Sequence, residues 1–217
     1  MRASIHLLVA MQKTQFKFII LVVTTAALLG GWLSHVITSG RAVTSQLQLG
    51  TLITPPRTIP GFKMVDAQGH AVSQSNLVNH WSVLFFGYTS CPDVCPTTLA
   101  QLAATHKLLG DLPRELQPQF IFVSVDAKRD TPEKLNAYIN YFSGDFLGFT
   151  GTQQQISDLT KSMGVPVMIQ LTSEGAYTID HSASLFVVNP QSQLAAILSP
   201  PYQANLLAND LRKLVAL

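Results

Sequence analysis

The residues best suited to chemistry are two cysteines, Cys91 and Cys95, the only cysteines in the chain, within the segment SCPDVCP. If residues 91–95 are helical, the two positions lie about 6 Å apart along the helix axis and share one face. That separation suits a shared metal ion, and it also lies within the range that a disulfide tolerates. The spacing therefore permits metal binding and reversible oxidation, and Cys91 and Cys95 are the candidate redox residues.

A purely structural disulfide is the plain alternative, because exported proteins commonly use cysteines as cross-links. Closing a loop of about five residues removes only about 2 kcal/mol of unfolded-state entropy, against about 4.7 kcal/mol for a loop near 100 residues. A helix N-terminus also lowers the pKa of a thiol and makes the thiolate available to a metal or an oxidant. The sequence therefore favours a functional pair.

The available ligands favour copper over zinc. Two thiolates suit Cu(I), whereas a closed zinc site generally takes four protein ligands. Outside the N-terminal region, four histidines are candidates for a further ligand: His70, His80, His106 and His181. His181 is the best placed, because we expect it in a short loop just before a strand at 185–189. Taken alone, a structural role for this histidine stays open.

The elements that position these residues alternate between strands and helices. Continuous apolar runs predict two strands covered on both faces, at 82–88 and 119–126. Periodicity and turn residues predict four helices and six shorter strands. The helices are expected at 96–109, 131–142, 153–163 and 202–216, and the strands as two within 61–73 and as hairpins of 166–171 with 176–179 and 184–189 with 193–198. The order predicts an α/β fold, and the cysteines follow the first buried strand, where such sheets place active sites.

Residues 18–40 contain no Asp, Glu, Lys or Arg and are mostly apolar. A helix needs about 20 such residues to cross a bilayer, so we expect a transmembrane anchor there. Arg2, Lys13 and Lys17 precede this segment and only Arg41 follows closely, which predicts a cytoplasmic N-terminus at 1–17 and an exported domain. A cleaved signal peptide is the alternative, but its apolar region is usually shorter.

The charge distribution argues against a nucleic-acid partner. The whole chain has a net charge of +2 at pH 7, but residues 43–217 hold ten basic and twelve acidic side chains, a net charge of −2. A nucleic-acid-binding domain needs a basic surface. Three prolines, Pro55, Pro56 and Pro60, predict a linker over 41–60, and the folded domain is expected at 61–217.

Three segments together resemble a known family: FGYTSCPDVCPTTL at 86–99, VDAKRDTPE at 125–133 and DHSAS at 180–184. In this order and spacing, with an N-terminal anchor, they are similar to the Sco (SenC) family of membrane-anchored copper chaperones over about residues 50–215. The resemblance implies a thioredoxin-like sheet flanked by helices. It also implies a mononuclear copper site formed by Cys91, Cys95 and His181, which holds Cu(I) and, as a second state, Cu(II).

Members of that family help to assemble the dinuclear copper centre of cytochrome c oxidase, by donating copper, by reducing the cysteines of that centre, or both. The resemblance therefore implies that the partner is the copper-site subunit of the oxidase, with other copper chaperones or thiol oxidoreductases as further partners. The predicted anchor places the chain in the inner membrane of a bacterial cell as a single-pass protein, with its domain on the periplasmic side. The mitochondrial inner membrane is the alternative, although no long presequence precedes the anchor.

The chain departs from the usual family pattern at two places, neither of which touches a proposed ligand. Ser90 stands where many members carry a histidine, and Ala127-Lys128 replace the commoner Pro-Glu. Asp126 matches an aspartate of the family, and its two candidate roles are to modulate the site or to hold its loop by hydrogen bonds. We favour the second role.

A thiol–disulfide oxidoreductase acting on exported cysteine proteins is the main alternative function, because the same two sulfurs can cycle through a disulfide. His181 is expected to matter little in that reaction. A peroxidase of the same broad fold and a purely structural membrane protein are further alternatives. The sequence contains no phosphate-binding glycine motif and no HExxH or GxSxG motif, so other common catalytic chemistries have no support.

Overall fold

The computed structural model describes residues 46–171 and 176–217, together with Thr25 and Gly30. The predicted cytoplasmic segment at 1–17, the predicted anchor at 18–40 apart from those two residues, and the turn at 173–175 lie outside the described residues. Among the helices that are described, none is both long and apolar enough to span a bilayer. The chain divides into two units, Met1–Ser45 and Gln46–Leu217, and the second of these contains the sheet and the helices that pack on it.

Ten strands are present in the described part of this unit. They are β1 (Gly50–Thr58), β2 (Lys63–Asp66), β3 (Ala71–Ser73), β4 (Ser82–Gly87), β5 (Gln119–Ser124), β6 (Leu147–Thr150), β7 (Val167–Leu171), β8 (Tyr177–His181), β9 (Leu185–Val188) and β10 (Gln193–Leu198). Eight of them form one sheet in the order β1-β10-β9-β4-β5-β6-β2-β3, and β7 and β8 form a separate antiparallel pair. The centre of the large sheet is parallel, because β4, β5 and β6 run in one direction.

Within residues 46–171 and 176–217, four α-helices cover the large sheet: α1 (Val94–Leu108), α2 (Pro132–Phe142), α3 (Gln153–Met163) and α4 (Ala204–Val215). Two of them begin at threonine caps, since Thr131 accepts a hydrogen bond from the N–H of Lys134 and Thr152 accepts one from the N–H of Gln155. These caps explain why the helices start directly after turns.

The sheet has a hydrophobic core on each face. Residues of α1, α2 and α4 pack on one face together with Val83 and Phe85 of β4, whereas α3 packs on the other face with Leu84 and Phe86. Successive residues of a strand point to opposite faces, so all six residues of β4 are buried. The predicted α/β sheet with helices on both faces is confirmed.

The predicted linker over 41–60 is wrong where β1 forms. Residues Gly50–Thr58 pair with β10 at one edge of the sheet, and the unit begins at Gln46 rather than near residue 61. The pairing is interrupted between Leu52 and Arg57, around the prolines. Because Pro lacks an N–H group, it is tolerated at edges and bulges of a sheet. β1 is an edge strand, and its prolines lie at the irregularity in its pairing.

One further strand, β6, was not predicted from the sequence. It spans only Leu147–Thr150 and includes Gly148, so it gives almost no periodic signal. A Cβ atom at Gly148 would lie 2.8 Å from Cγ of Leu135 in α2, so the glycine lets that helix pack closely on the sheet. The predicted hairpin of 166–171 with 176–179 is present as β7 and β8, although it is not part of the large sheet.

Candidate metal centre

Cys91 and Cys95 lie where β4 gives way to α1, at the carboxyl end of the central strand. The helix begins at Val94 with Asp93 as its N-cap, so only Cys95 is helical and Cys91 belongs to the preceding turn. The condition that residues 91–95 are all helical is therefore not met, and the helix predicted at 96–109 begins two residues earlier. The N–H of Cys91 donates to the carbonyl of Tyr88 at 3.1 Å, and this bond closes the turn that directs the thiol back towards Cys95.

His181 is the last residue of β8 rather than part of a loop. The hairpin brings its ring to the cysteine pair, with Nε2 3.3 Å from Sγ of Cys95. The two sulfurs and a ring nitrogen all lie within 4.8 Å of one another. The structure thus brings together the three residues that the sequence named, across 86 positions of the chain between Cys95 and His181.

The ring of His181 is held in a defined orientation. Its edge-on neighbours are the rings of Phe85 and Tyr88, with centroids 6.1 and 5.8 Å away. Nδ1 lies 3.0 Å from the carbonyl oxygen of Ser182. A carbonyl only accepts hydrogen bonds, so Nδ1 donates to it and Nε2 is the ring nitrogen that faces the sulfurs. A hydrogen bond to the second ring nitrogen is how proteins commonly fix a metal-binding histidine.

The two thiols share their protons unequally. The hydrogen bond from Cys95 lowers the pKa of Cys91 from 9.0 to about 4, despite partial burial, and the N–H groups of Asp93 and Cys95 assist. The same hydrogen bond, together with burial, raises the pKa of Cys95 far above its ordinary range. Cys91 is half-buried and Cys95 is fully buried, and the two sulfurs are not bonded to each other. At neutral pH the pair therefore consists of one thiolate and one thiol.

Gly87 is a site residue that the sequence analysis did not identify. A Cβ atom at this position would lie 2.7 Å from Sγ of Cys95 and 2.8 Å from the ring of Phe122. The Cys95 sulfur therefore occupies the space that a side chain at position 87 would need. The signal in the sequence is a glycine at the end of an otherwise bulky strand, which marks a close approach.

Asp130 is a second residue that the sequence analysis missed. Its buried carboxylate accepts hydrogen bonds from the N–H and hydroxyl of Thr89, at 2.9 and 2.6 Å, and from the hydroxyl of Ser124 at 2.7 Å. These bonds join the turn before Cys91 to the end of β5.

Asp126 accepts a hydrogen bond from the hydroxyl of Tyr177 at 2.8 Å and pairs with Arg129. These contacts fit the role that we favoured for Asp126, which is to hold its loop by hydrogen bonds.

Two of the other candidate histidines have different neighbours. His70 contacts the carboxylate of Asp66, and His106 packs against the ring of Phe120 near Asp145. Among the described residues, the group whose ligand atoms are close enough to hold one metal ion consists of Cys91, Cys95 and His181. Beside it, an open groove of about 510 Å³ runs between the start of α1 and β8. A soft metal ion bound by this group is therefore within reach of an approaching protein.

Comparisons with known proteins place this geometry in context. A family model described as SCO1/SenC matches residues 51–216. A relative from Stutzerimonas stutzeri, named as a copper-binding protein, is 37% identical over 157 residues, which cover 71% of this chain and 76% of the relative. The SenC protein of Rhodobacter capsulatus is 32% identical over 130 residues, covering 60% of this chain and 58% of its own length.

Solved structures share the fold. The copper-bound ScoI of Bradyrhizobium japonicum superposes with a TM-score of 0.66 at 29% identity, covering 72% of this chain and 98% of that structure. The apo Sco1 protein of Thermus thermophilus gives a TM-score of 0.69 at 33% identity, covering 80% of this chain and 99% of that structure. The predicted Sco-like, thioredoxin-type core is thereby confirmed.

Proposed function

The chain belongs to the SCO1/SenC family, and we propose that it is a copper-binding metallochaperone that delivers copper to the dinuclear copper site of cytochrome c oxidase. The observation that carries this proposal is the convergence of Cys91, Cys95 and His181, whose ligand atoms lie within 4.8 Å of one another. The copper-bound ScoI structure from Bradyrhizobium japonicum, with the same fold, supports copper as the cargo.

The donor set fits copper better than the other common metals. Two sulfurs and one imidazole nitrogen give a three-coordinate set that suits soft Cu(I), whereas Mg²⁺ and Ca²⁺ prefer oxygen ligands. Cys91 is already a thiolate at neutral pH, since its pKa is lowered to about 4 by the hydrogen bond from Cys95. Binding copper therefore requires the release of one further proton, from Cys95.

Transfer by ligand exchange follows from the different exposure of the ligands. Cys95 is buried, but Cys91 and His181 are only partly buried and line the open groove. A thiolate of the acceptor can enter this groove, bind copper and displace one of the exposed ligands. Copper then passes from one protein to the other without release of a free ion.

The acceptor in this proposal is the copper-site subunit of cytochrome c oxidase, and other copper chaperones are candidate donors. The proposed location is the bacterial inner membrane, with residues 18–40 as a single anchor and the folded domain on the periplasmic side. Support for the anchor comes from the uncharged apolar run and from the basic residues before it. Alkaline extraction of membranes tests the anchor: the full chain stays in the pellet, and recovery in the supernatant would contradict it.

Copper titration of single-residue variants tests the metal site. We expect the wild-type chain to bind one copper per chain, and Cys91→Ala, Cys95→Ala and His181→Ala each to weaken binding severely. His106→Ala is the matched control, because His106 packs against Phe120 and not at the cysteine pair. Unchanged stoichiometry and affinity in all three site variants would reject the proposed site.

A second candidate function, reduction of the cysteines of the partner, is favoured by the unequal thiols. Cys91 is a partly exposed thiolate, and Cys95 is the neighbouring thiol that can resolve a mixed disulfide. The thiolate of Cys91 and the thiol of Cys95 lose two electrons and one proton to become a disulfide. A disulfide in the partner gains the two electrons and two protons, one of them from solvent, to become two thiols.

One variant separates the two functions. His181→Ala removes a proposed copper ligand but neither sulfur, so we expect it to lose copper loading and to keep most of its rate of thiol–disulfide exchange. The measurements are copper stoichiometry and the rate of exchange with a disulfide-containing peptide. Equal loss of both activities would contradict an independent reductase function.

A further inference from the structure

We propose that Arg129 and Tyr177 are positioning residues that hold His181 against the two cysteines. The inference rests on the proposed function, because it concerns how the third ligand reaches the copper site. Neither residue is itself a proposed ligand. Both act through β8, the strand that begins at Tyr177 and ends at His181.

The strand that carries His181 needs such support. It pairs with β7 alone in a two-stranded sheet, and neither strand is hydrogen-bonded into the eight-stranded sheet among the described residues. A two-stranded hairpin is marginally stable in isolation. The position of His181 therefore depends on what fastens the hairpin to the rest of the domain.

Arg129 provides the fastening at the start of β8. Its NH1 group donates to the carbonyl of Tyr177 at 3.1 Å, and its guanidinium carbon lies 3.8 Å from the centroid of the Tyr177 ring. Asp126 completes the arrangement by pairing with Nε of Arg129 and by accepting the Tyr177 hydroxyl at 2.8 Å. Arg129 and Asp126 both lie in the loop after β5, so the large sheet holds the first residue of β8 through its backbone, ring and hydroxyl.

A second set of contacts carries this fastening along the strand. Ile179 is buried, and its N–H approaches the hydroxyl of Tyr88 at 3.5 Å. The ring of Tyr88 lies 5.4 Å from the guanidinium carbon of Arg129 and 5.8 Å from the ring of His181. Arg129 thus contacts two tyrosines. Tyr177 is the first residue of β8, and Tyr88 lies beside Ile179 and His181 of the same strand. Loss of its guanidinium removes contacts with both.

The chemistry of the guanidinium explains why arginine is needed here. A planar fork can bond a carboxylate through one nitrogen and a carbonyl through another while its face covers an aromatic ring. A lysine ammonium provides the charge but not the fork. Arg129→Lys is therefore expected to keep more of the copper affinity than Arg129→Met, but less than the wild type.

The copper-free protein gives the first test. In histidine-labelled full-length chain in detergent, we expect the ring protons of His181 in the wild type to show through-space contacts with the rings of Phe85 and Tyr88. In Arg129→Met and Tyr177→Phe, these contacts weaken and the His181 ring signals shift. Lys128→Met and Tyr141→Phe are matched controls at exposed side chains, and they leave the His181 signals unchanged.

Copper binding gives the second test. Partners that orient a metal-binding histidine typically contribute about 10–100-fold to metal affinity, and we expect a loss of this order for Cu(II) in Arg129→Met. Nitrogen hyperfine coupling in the Cu(II) resonance spectrum weakens, while both sulfur ligands remain. Arg129→Lys recovers only part of the affinity.

Wild-type His181 signals and wild-type Cu(II) affinity in folded Arg129→Met and Tyr177→Phe chains would overturn the proposal. If Arg129→Met does not fold, Tyr177→Phe and Arg129→Lys decide the question by the same measurements. Failure of the proposed function has a different signature: the wild-type chain would bind no copper although its His181 ring shows the expected contacts with Phe85 and Tyr88.

Discussion

Among single residues, the site depends on a sulfur pair in which the thiol of Cys95 donates its proton in a hydrogen bond to the thiolate of Cys91. Cys95 is buried and keeps its proton, and its hydrogen bond stabilises the thiolate of Cys91. Because the backbone N–H groups at the start of α1 add to this effect, the sequence could indicate a reactive pair. It could not indicate which cysteine carries the charge, since that depends on burial.

The reactivity of Cys91 is expected to follow its lowered pKa. The thiolate predominates above a pKa of about 4 and is lost as the pH falls through that value. The rate of alkylation by iodoacetamide is therefore predicted to rise between about pH 3 and 5 and to stay nearly level up to pH 7. Mass spectrometry of the modified cysteine measures this profile.

The control for this prediction removes the hydrogen-bond donor. In Cys95→Ala, the pKa of Cys91 moves back towards its ordinary value of 9.0, and the alkylation rate at pH 6 falls. A profile that still rises around pH 8 to 9 in the wild type would contradict the assignment of the thiolate.

A second prediction about single residues concerns the space left by Gly87. In Gly87→Ala the new methyl group would lie 2.7 Å from the Cys95 sulfur and 2.8 Å from the ring of Phe122, so at least one of these two side chains has to shift. We expect weaker copper binding and an overpacking cost of about 1–3 kcal/mol in the free energy of unfolding. Copper competition and chemical denaturation measure the two effects. Gly144→Ala is the control, since its Cβ meets nothing within 4 Å, and equal effects at both positions would contradict a specific role for Gly87.

At the scale of elements, the sequence predicted best what is continuous and buried. β4 and β5 are apolar runs covered on both faces, and α2 and α3 begin directly after capping threonines that the sequence shows. β1 was missed because its prolines disfavour a strand, and its pairing depends on β10, more than 130 positions later. Local patterns do not contain that information, because the edge becomes available only when the rest of the sheet has formed.

The chain before β1 is held by the final helix in a way the sequence did not indicate. Asp210 of α4 is fully buried and accepts the N–H groups of Gln48 and Leu49 at 2.7 and 2.8 Å. Lys213 lies near the same carboxylate and donates to the carbonyl of Gln46 at 3.0 Å. The folded unit therefore includes residues that the sequence assigned to a linker.

Removing this carboxylate tests the role of the segment. Hydrogen bonds to a charged group typically contribute about 1.5–3 kcal/mol, so we expect Asp210→Ala to lower the free energy of unfolding by about that amount. Hydrogen exchange at Gln48 and Leu49 becomes faster in the same variant. Asp111→Ala removes a largely exposed carboxylate and serves as the control. An unchanged denaturation midpoint in Asp210→Ala would show that residues 46–49 contribute little to the fold.

In the molecule as a whole, the large sheet with a core on each face and the small hairpin of β7 and β8 position different residues of the site. The large sheet and α1 fix the cysteines, whereas β7 and β8 bring in the histidine from the side of an open groove. The sequence predicted the three residues, but it could not predict the separate sheet that carries His181. In this arrangement Cys91 and His181 both line the open groove, whereas Cys95 is buried.

X-ray absorption on the copper-loaded full-length chain counts the atoms bound to the metal and so shows whether Cys91, Cys95 and His181 form the copper site. We expect two sulfur neighbours and one imidazole nitrogen per Cu(I), and loss of the nitrogen in His181→Ala with both sulfurs kept. Copper surrounded by sulfur alone in the wild type, or by nitrogen and oxygen without sulfur, would contradict a site formed by Cys91, Cys95 and His181.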